Sequence, residues 1–239
     1  MQPLYGKVYL IGAGPGAADL ITVRGARILA QADVVLYDAL ITPEMLQHCS
    51  QAVQISVGKR SGQRSAAQDD INHQILDCAA QYKMVVRLKG GDPMLFGRAD
   101  EELNALEAAN IDYEIVPGIT TALAAAASTR QPLTKRGIAR SVALFTSSTA
   151  PGEKADTRIP ECDTLVQYMG GKEAMLTAQR MLSNGFPDDL PVVVIENCSR
   201  ADEQQQFLNL AKLALGIETK NGPVLVMMGE AMRLRPNRK

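Results

Sequence analysis

The chain has 239 residues, of which 46% are hydrophobic, and carries a net charge of −1 with a pI near 6.2. This length allows one large or two small domains with hydrophobic cores, and the balanced charge argues against a dedicated nucleic-acid-binding protein. No apolar run approaches the roughly 18 residues of a membrane-spanning helix, and no secretory leader is evident, so we expect a cytoplasmic protein with no membrane partner. The four cysteines form no CxxC pair, which favours reduced thiols over a zinc site: Cys49, Cys78, Cys162 and Cys198.

Strand-like and helix-like segments alternate through the first half of the chain. The predicted strands are Val8–Ile11, Val34–Tyr37, Ala52–Val57, Met84–Leu88 and Tyr113–Val116. The predicted helices between them are Leu20–Gln31, Ala67–Gln81 and Asp100–Ala109. This order predicts a parallel sheet with helices on both faces.

The pattern changes after Pro117-Gly118. An alanine-rich helix is expected over Thr121–Thr129, and a second helix over Glu173–Asn184. Four further strands are predicted: Val142–Thr146, Thr164–Tyr168, Pro191–Glu196 and Val224–Met228. The polar segment around Gln204-Gln205-Gln206 is interpreted as surface. We therefore predict an α/β protein with two domains, 1–117 and 118–239.

The first glycine-rich loop, Gly12 to Gly16, allows two interpretations. Gly12, Gly14 and Ala17 match the G-x-G-x-x-A pattern of a dinucleotide-binding turn, with Asp33 or Asp38 as the ribose acid. Pro15 fits that pattern less well because it lacks an amide donor for pyrophosphate. A tight turn between strand and helix is the other interpretation.

The second loop, "RLKGGDPMLFGRADEE" at residues 87–102, follows a predicted buried strand. Gly90 and Gly91 would let a ligand approach the backbone, and Asp92 could accept its hydrogen bonds or cap a helix. Arg98 and Glu101 lie three residues apart, as expected of a helix face and of an exposed ion pair.

Two further features suggest an anionic ligand. Thr120 and Thr121 lie at the predicted domain boundary, where they could contact a ligand or cap the alanine-rich helix. Basic residues cluster in two segments, as a solvated surface or a site for a polyanion would require: Lys59, Arg60, Arg64, Lys135, Arg136 and Arg140. The absence of G-x-S-x-G, GxxxxGK[ST] and HExxH, with only two histidines, argues against a histidine triad or metal site.

Eight segments together resemble the tetrapyrrole methylases, in order and spacing, from about residue 5 to 235. They are "YLIGAGPGAADLIT", "ADVVLYDALI", "GKRSG", "RLKGGDPMLFGR", "VPGITTALAAAA", "QPLTKR", "YMGGK" and "GPVLVMMGE". The resemblance implies two α/β domains with a cleft for S-adenosyl-L-methionine (SAM) between them, a homodimer and an anionic tetrapyrrole substrate. The most similar branch of the family methylates uroporphyrinogen III at C2 and C7, giving precorrin-2 for sirohaem or cobalamin.

The resemblance also assigns site residues. Those expected to contact SAM, or its product S-adenosyl-L-homocysteine, are Pro15, Gly90, Gly91, Asp92, Leu95, Thr120, Thr121, Met169 and Cys198. Asp38 and Lys59 match proton-handling residues, while Arg98 and Glu101 match residues facing the tetrapyrrole. Because the pKa of arginine exceeds about 12, we expect Arg98 to bind a substrate carboxylate and not to act as a base.

The chain departs from the family on its substrate side. Three family histidines are replaced, by Arg64, Lys135 and Ser148, and Ala17 replaces an acid in the first loop. These departures keep three alternatives open: a related cobalamin-pathway methylase, a SAM- or porphyrin-binding protein without turnover, and an NAD oxidoreductase.

Overall fold

The computed structural model describes residues 5–57, 68–148, 158–220 and 222–235. Contacts within the chain form two compact units, Met1–Thr120 and Thr121–Lys239. The domain boundary expected between residues 117 and 118 stays a prediction. Within the described residues, no helix combines the length and apolar character needed to span a membrane.

A five-stranded parallel sheet forms the centre of the first unit. Its strands are β1 (Lys7–Gly12), β2 (Val34–Tyr37), β3 (Val53–Ser56), β4 (Met84–Lys89) and β5 (Tyr113–Val116). They lie in the order β3-β2-β4-β1-β5, and each neighbouring pair is parallel. The helices are α1 (Val23–Leu29), α2 (Pro43–Leu46), α3 (Gln68–Gln81) and α4 (Ala99–Ala108), with 3₁₀ turns at Ala18–Leu20 and Gln47–Cys49.

Alternate residues of these strands pack against helices on opposite faces, which confirms the predicted α/β arrangement. Leu36 and Val85 contribute to the core that contains residues of α3 and α4. Val35 and Val86 contribute to the core on the other face, with Leu29 of α1. Burial on both faces explains why the strands are nearly continuous runs of apolar residues.

The second unit contains a mixed sheet. Its strands are β6 (Val142–Thr146), β7 (Thr164–Tyr168), β8 (Pro191–Glu196), β9 (Gln204–Asn209) and β10 (Val224–Met228). They lie in the order β6-β7-β10-β8-β9, with β6 and β7 parallel and the other pairs antiparallel. The helices are α5 (Thr121–Ser128), α6 (Gly170–Ser183) and α7 (Leu210–Leu213), followed by a 3₁₀ turn at Glu230–Met232. The core with α5 lies on one face of the sheet, and the core with α6 and α7 lies on the other.

Two elements of the second unit differ from prediction. The polar run Gln204–Gln206 belongs to β9, which pairs with β8 along one side only. The start of an edge strand can remain exposed, so it shows no apolar pattern. Helix α6 begins at Gly170, before the predicted Glu173, because a Cβ atom on Gly170 would lie 2.8 Å from Val226 Cγ2. This glycine reflects close helix–sheet packing, although in the sequence it suggests a loop.

Candidate active site

Three glycine-bearing loops meet at the carboxyl edge of the parallel sheet. Gly12, Gly91 and Gly118 approach one another backbone to backbone: a Cβ atom on Gly118 would lie 2.2 Å from the Gly91 oxygen and 2.7 Å from the Gly12 Cα. The Gly14 amide donates to the Gly91 oxygen at 3.1 Å, and the Gly91 amide donates to the Gly14 oxygen at 2.7 Å. Any side chain at Gly12 or Gly118 would separate these loops, so glycine is required there by close approach.

The Asp92 carboxylate joins two of these loops. Its Oδ2 accepts a hydrogen bond from the Gly118 amide at 2.9 Å, and its Oδ1 accepts one from the Met94 amide at 2.8 Å. The alternative role of Asp92 as a helix cap is wrong, because α4 begins only at Ala99. Each oxygen keeps further acceptor capacity, so Asp92 can hold the loop and accept from a ligand.

The backbone beside Asp92 is open to a ligand. Gly91 has φ +67°, and a Cβ atom there would meet nothing within 4 Å. Leu95 and Pro15, which flank this region in the sequence prediction, are both partly buried. An accessible backbone next to an acceptor carboxylate fits the ribose or amine of SAM, so the residues present are compatible with this cofactor.

The geometry of the first loop contradicts the dinucleotide alternative. Instead of opening an α-helix, the loop leads into the 3₁₀ turn Ala18–Leu20, and α1 begins at Val23 behind its own cap, Thr22. Asp33 lies at the amino edge of the sheet, where its Oδ2 accepts from the amides of Lys83 and Met84 at 3.1 and 2.8 Å. Asp33 is therefore a structural residue and not a ribose acid.

Asp38 follows β2 at the carboxyl edge and takes part in a network of charged side chains. Arg87 Nη2 donates to Asp38 Oδ1 at 2.5 Å, and Arg87 Nε donates to Glu102 Oε1 at 2.8 Å. Lys89 Nζ donates to the other Glu102 oxygen, also at 2.8 Å. The side chains of Arg87, Lys89 and Glu102 are at most 4% exposed, whereas that of Asp38 is 28% exposed.

Sequence analysis missed these three buried residues. Arg87 and Lys89 occupy alternate positions of an otherwise apolar strand, and that spacing could have indicated buried cations that need a carboxylate. Burial alone would lower the pKa of Arg87, but the charges of Asp38 and Glu102 outweigh it and raise the pKa. Burial, reinforced by the neighbouring Arg87 charge, lowers the pKa of Lys89 despite its bond to Glu102.

Arg98 and Glu101 form an ion pair with each other. Arg98 Nε and Nη2 donate to the two Glu101 oxygens at 2.7 Å each, and both side chains are about half exposed. The hydrogen bond to Glu101 raises the pKa of Arg98, and the same bond lowers the pKa of Glu101. Arg98 therefore stays protonated and can bind an anion only by exchanging partners.

The predicted site residues of the second unit border the core that contains α5. Thr121 begins α5, whose Ala122 amide donates to the Tyr168 hydroxyl at 3.1 Å. Met169 follows Tyr168 directly and is 48% exposed, and Cys198 is buried in the same core as Ala122. Thr120, the last residue of the first unit, is partly buried.

Left-handed backbone occurs at or beside two of these positions. Met169 has φ +54°, and Asn197 and Ser199, on either side of Cys198, have φ +55° and +63°. Such conformations are costly for residues other than glycine and are frequent at ligand-binding sites. Burial, and next the charge of Glu203, raises the pKa of Cys198 to about 12, so the thiol remains neutral.

The basic clusters are only partly described. Lys59, Arg60 and Arg64 lie outside the described residues. Arg136 and Arg140 are exposed, while Lys135 Nζ donates to the Arg233 oxygen at 3.3 Å. Burial, and next the charge of Arg235, lowers the pKa of Lys135. Within the described ranges, no group of His, Cys, Asp and Glu side chains is arranged to hold a metal ion.

Comparison with known proteins identifies the class of the chain. The family model for Tetrapyrrole (Corrin/Porphyrin) Methylases matches residues 7–214, and the chain belongs to this family. It is 41% identical to the uroporphyrinogen-III C-methyltransferase of Pseudomonas aeruginosa, over 95% of this chain and 95% of that protein. It is also 42% identical to a siroheme synthase of Actinobacillus pleuropneumoniae, over 98% of this chain but 49% of that protein.

The chain thus spans about half the length of the siroheme synthase that it matches. Among solved structures, uroporphyrin-III C-methyl transferase from Thermus thermophilus, complexed with S-adenyl homocysteine, matches with a TM-score of 0.82 and 34% identity. That match covers 95% of this chain and 94% of the other. These matches confirm the resemblance found in the sequence and its fold.

Proposed function

We propose that this chain is a SAM-dependent C-methyltransferase that methylates uroporphyrinogen III at C2 and C7, giving precorrin-2 for sirohaem or cobalamin synthesis. The observation that carries the proposal is its likeness to the Pseudomonas aeruginosa enzyme over nearly the full length of both proteins. Asp38 and Asp92 at the carboxyl edge of the sheet support it, because ligands of open α/β sheets bind outside this edge. We further propose that the protein acts as a cytoplasmic homodimer, with neither nucleic acid nor membrane as a partner.

The proposed cofactor site draws on both units. Residues that would hold SAM are Pro15, Gly90, Gly91, Asp92, Leu95, Thr120, Thr121, Met169 and Cys198. SAM supplies a methyl group on a positively charged sulfur, which needs orientation more than activation. The protein contributes by holding an electron-rich pyrrole carbon in line with that methyl group, and such positioning can lower a barrier by roughly 7–11 kcal/mol at best.

The charged residues have separate roles in this proposal. Asp38 accepts the proton that the macrocycle loses after methylation, as a general base. Arg98 remains protonated and binds a substrate carboxylate in exchange for Glu101, an interaction of about 1.5–3 kcal/mol. Lys59 is proposed as a second proton-handling residue.

A turnover assay tests the proposal. Anaerobic incubation of enzymatically made uroporphyrinogen III with SAM should add two methyl groups, seen by mass, and yield a red-fluorescent oxidised product. Asp38→Asn should bind S-adenosylhomocysteine with wild-type affinity in calorimetry and form little product.

The same assay separates the alternatives. Tight S-adenosylhomocysteine binding without methylated product would favour a SAM- or porphyrin-binding paralogue, an outcome that the replaced family histidines make worth testing. Methylation of a precorrin but not of uroporphyrinogen III would favour a related cobalamin-pathway methylase.

A further inference from the structure

We propose that Glu102 is a positioning residue, which acts through Arg87 to fix the direction of the Asp38 carboxylate and the charge around it. The inference rests on the proposed function, because it assumes that Asp38 handles a proton. Glu102 contacts neither Asp38 nor the open backbone at Gly91, so its role is indirect.

The guanidinium of Arg87 connects the two carboxylates. Its Nε donates to Glu102 and its Nη2 donates to Asp38, while Nη1 donates to the Leu88 oxygen at 3.2 Å. Because the guanidinium is planar, the bond to Glu102 sets the plane in which Nη2 points at Asp38. Glu102 is held in turn by Lys89, so neither it nor Arg87 can rotate without breaking a buried ion pair.

Burial suggests why this arrangement exists. Three members of the network are almost fully buried, and only Asp38 is appreciably exposed. Buried ion pairs add little net stability because desolvation offsets their attraction. The network therefore makes better sense as a fixed support for its one accessible carboxylate.

Charge balance gives the network a second effect. Arg87 and Lys89 carry two positive charges, and Asp38 and Glu102 carry two negative ones. Beyond these four, the charged groups of α3 and α4 and the residue before α4 that lie in the same electrostatic environment are Asp69, Arg98 and Glu101. Removing one buried charge at a time should therefore move the ionisation of Asp38 in a direction that the sign of the charge dictates.

The decisive experiment compares Glu102→Gln with Lys89→Gln. In Glu102→Gln two cations face Asp38 alone, so the acid limb of the kcat profile should move to lower pH. In Lys89→Gln a cation is lost, so the limb should move to higher pH. The double variant restores the balance and should return the limb towards its wild-type position, with the two glutamine amides replacing the ion pair.

Positioning has its own readout. We expect Glu102→Gln to lower kcat about tenfold or more, while the Kd of S-adenosylhomocysteine stays within roughly threefold of wild type. Glu107→Gln is the matched control, since Glu107 is an exposed glutamate of the same helix that contacts the Tyr113 hydroxyl. It should alter neither the profile nor kcat.

A measurement without turnover separates this inference from the proposed function. Titration of the Asp38 side-chain carbon by NMR, in aspartate-labelled protein and assigned by its loss in Asp38→Asn, should show the same opposite shifts. If the wild type transfers no methyl group, the proposed function fails, and the titration still decides the role of Glu102. Unshifted or same-direction changes in the two single variants would overturn the inference, as would equal losses of kcat and cofactor affinity. If Glu102→Gln does not fold, Lys89→Gln alone decides by the direction of its shift.

Discussion

The two edges of the parallel sheet use similar residues in different surroundings. At the amino edge, Asp33 accepts hydrogen bonds from two backbone amides, and Lys7 pairs with Asp112 and Glu114 in exposed ion pairs. At the carboxyl edge, Asp92 also accepts from two backbone amides, but beside an open stretch of backbone. The ion pairs that lie behind this edge are buried.

This difference teaches that hydrogen-bond counts do not identify a ligand-binding carboxylate. Asp33 and Asp92 have equal numbers of backbone partners, yet only Asp92 adjoins backbone that a ligand can reach. What distinguishes the carboxyl edge is the combination of close glycine packing, open space at Gly91 and charges withdrawn from water. Variants at matched positions of the two edges can test each of these features.

The largest expected effect is the loss of a buried cation. Arg87→Met leaves Glu102 and Asp38 without their shared partner, and such a change typically costs about 3–5 kcal/mol of unfolding free energy. Lys7→Met at the amino edge removes only exposed pairs and should cost no more than about 1 kcal/mol. Urea unfolding followed by circular dichroism measures both, and similar losses in the two variants would contradict the contrast between the edges.

The two matched aspartates come next. Asp92→Ala and Asp33→Ala should each cost about 1–3 kcal/mol, because each leaves two backbone amides without their acceptor. Only Asp92→Ala should also weaken S-adenosylhomocysteine binding, by roughly tenfold or about 1.4 kcal/mol. Calorimetry at a temperature where both variants are folded measures the affinities. An unchanged affinity in Asp92→Ala would remove this residue from the proposed cofactor site.

Much of this contrast could be predicted from the sequence, because its signals are local. The run Met84–Lys89 followed by two glycines and Asp92 indicates a strand that ends in a ligand loop, and the structure contains that strand. The partner of Arg87 could not be predicted, since Glu102 lies on a helix whose packing depends on the whole fold. Edge strand β9 also escaped prediction, because its exposed glutamines carry no apolar alternation.

The open backbone at Gly91 gives a smaller stability effect with a specific consequence for binding. Gly91→Ala places a side chain at φ +67°, which costs about 1–2 kcal/mol, and its methyl group occupies the space proposed for SAM. Gly185→Ala is a matched control, since Gly185 has φ +84° and nothing within 4 Å of a Cβ atom. Equal strain is expected in both, but only Gly91→Ala should weaken S-adenosylhomocysteine binding in calorimetry. Equal affinities would argue that the cofactor does not approach this loop.

The smallest effect concerns the exposed pair Arg98–Glu101, which tests whether exposure or the edge itself determines how much an ion pair stabilises. Hydrogen bonding from Arg98 lowers the pKa of Glu101 from its ordinary value of 4.5. The pair therefore stabilises the folded state above that value, and its contribution is lost as the pH falls through the lowered folded-state pKa. Because both side chains are about half exposed, the contribution should be only about 0.2–1 kcal/mol and should shrink in roughly 1 M salt.

Urea midpoints of the wild type and Arg98→Gln, compared from about pH 6 to about pH 3, measure this contribution. The wild type should be slightly more stable at the upper end, and the two curves should converge as Glu101 becomes protonated. A constant offset at every pH would mean that Arg98 stabilises the fold through packing and not through its charge. A difference of several kcal/mol would mean that the pair is shielded from water, and the contrast with the buried network behind Asp38 would then disappear.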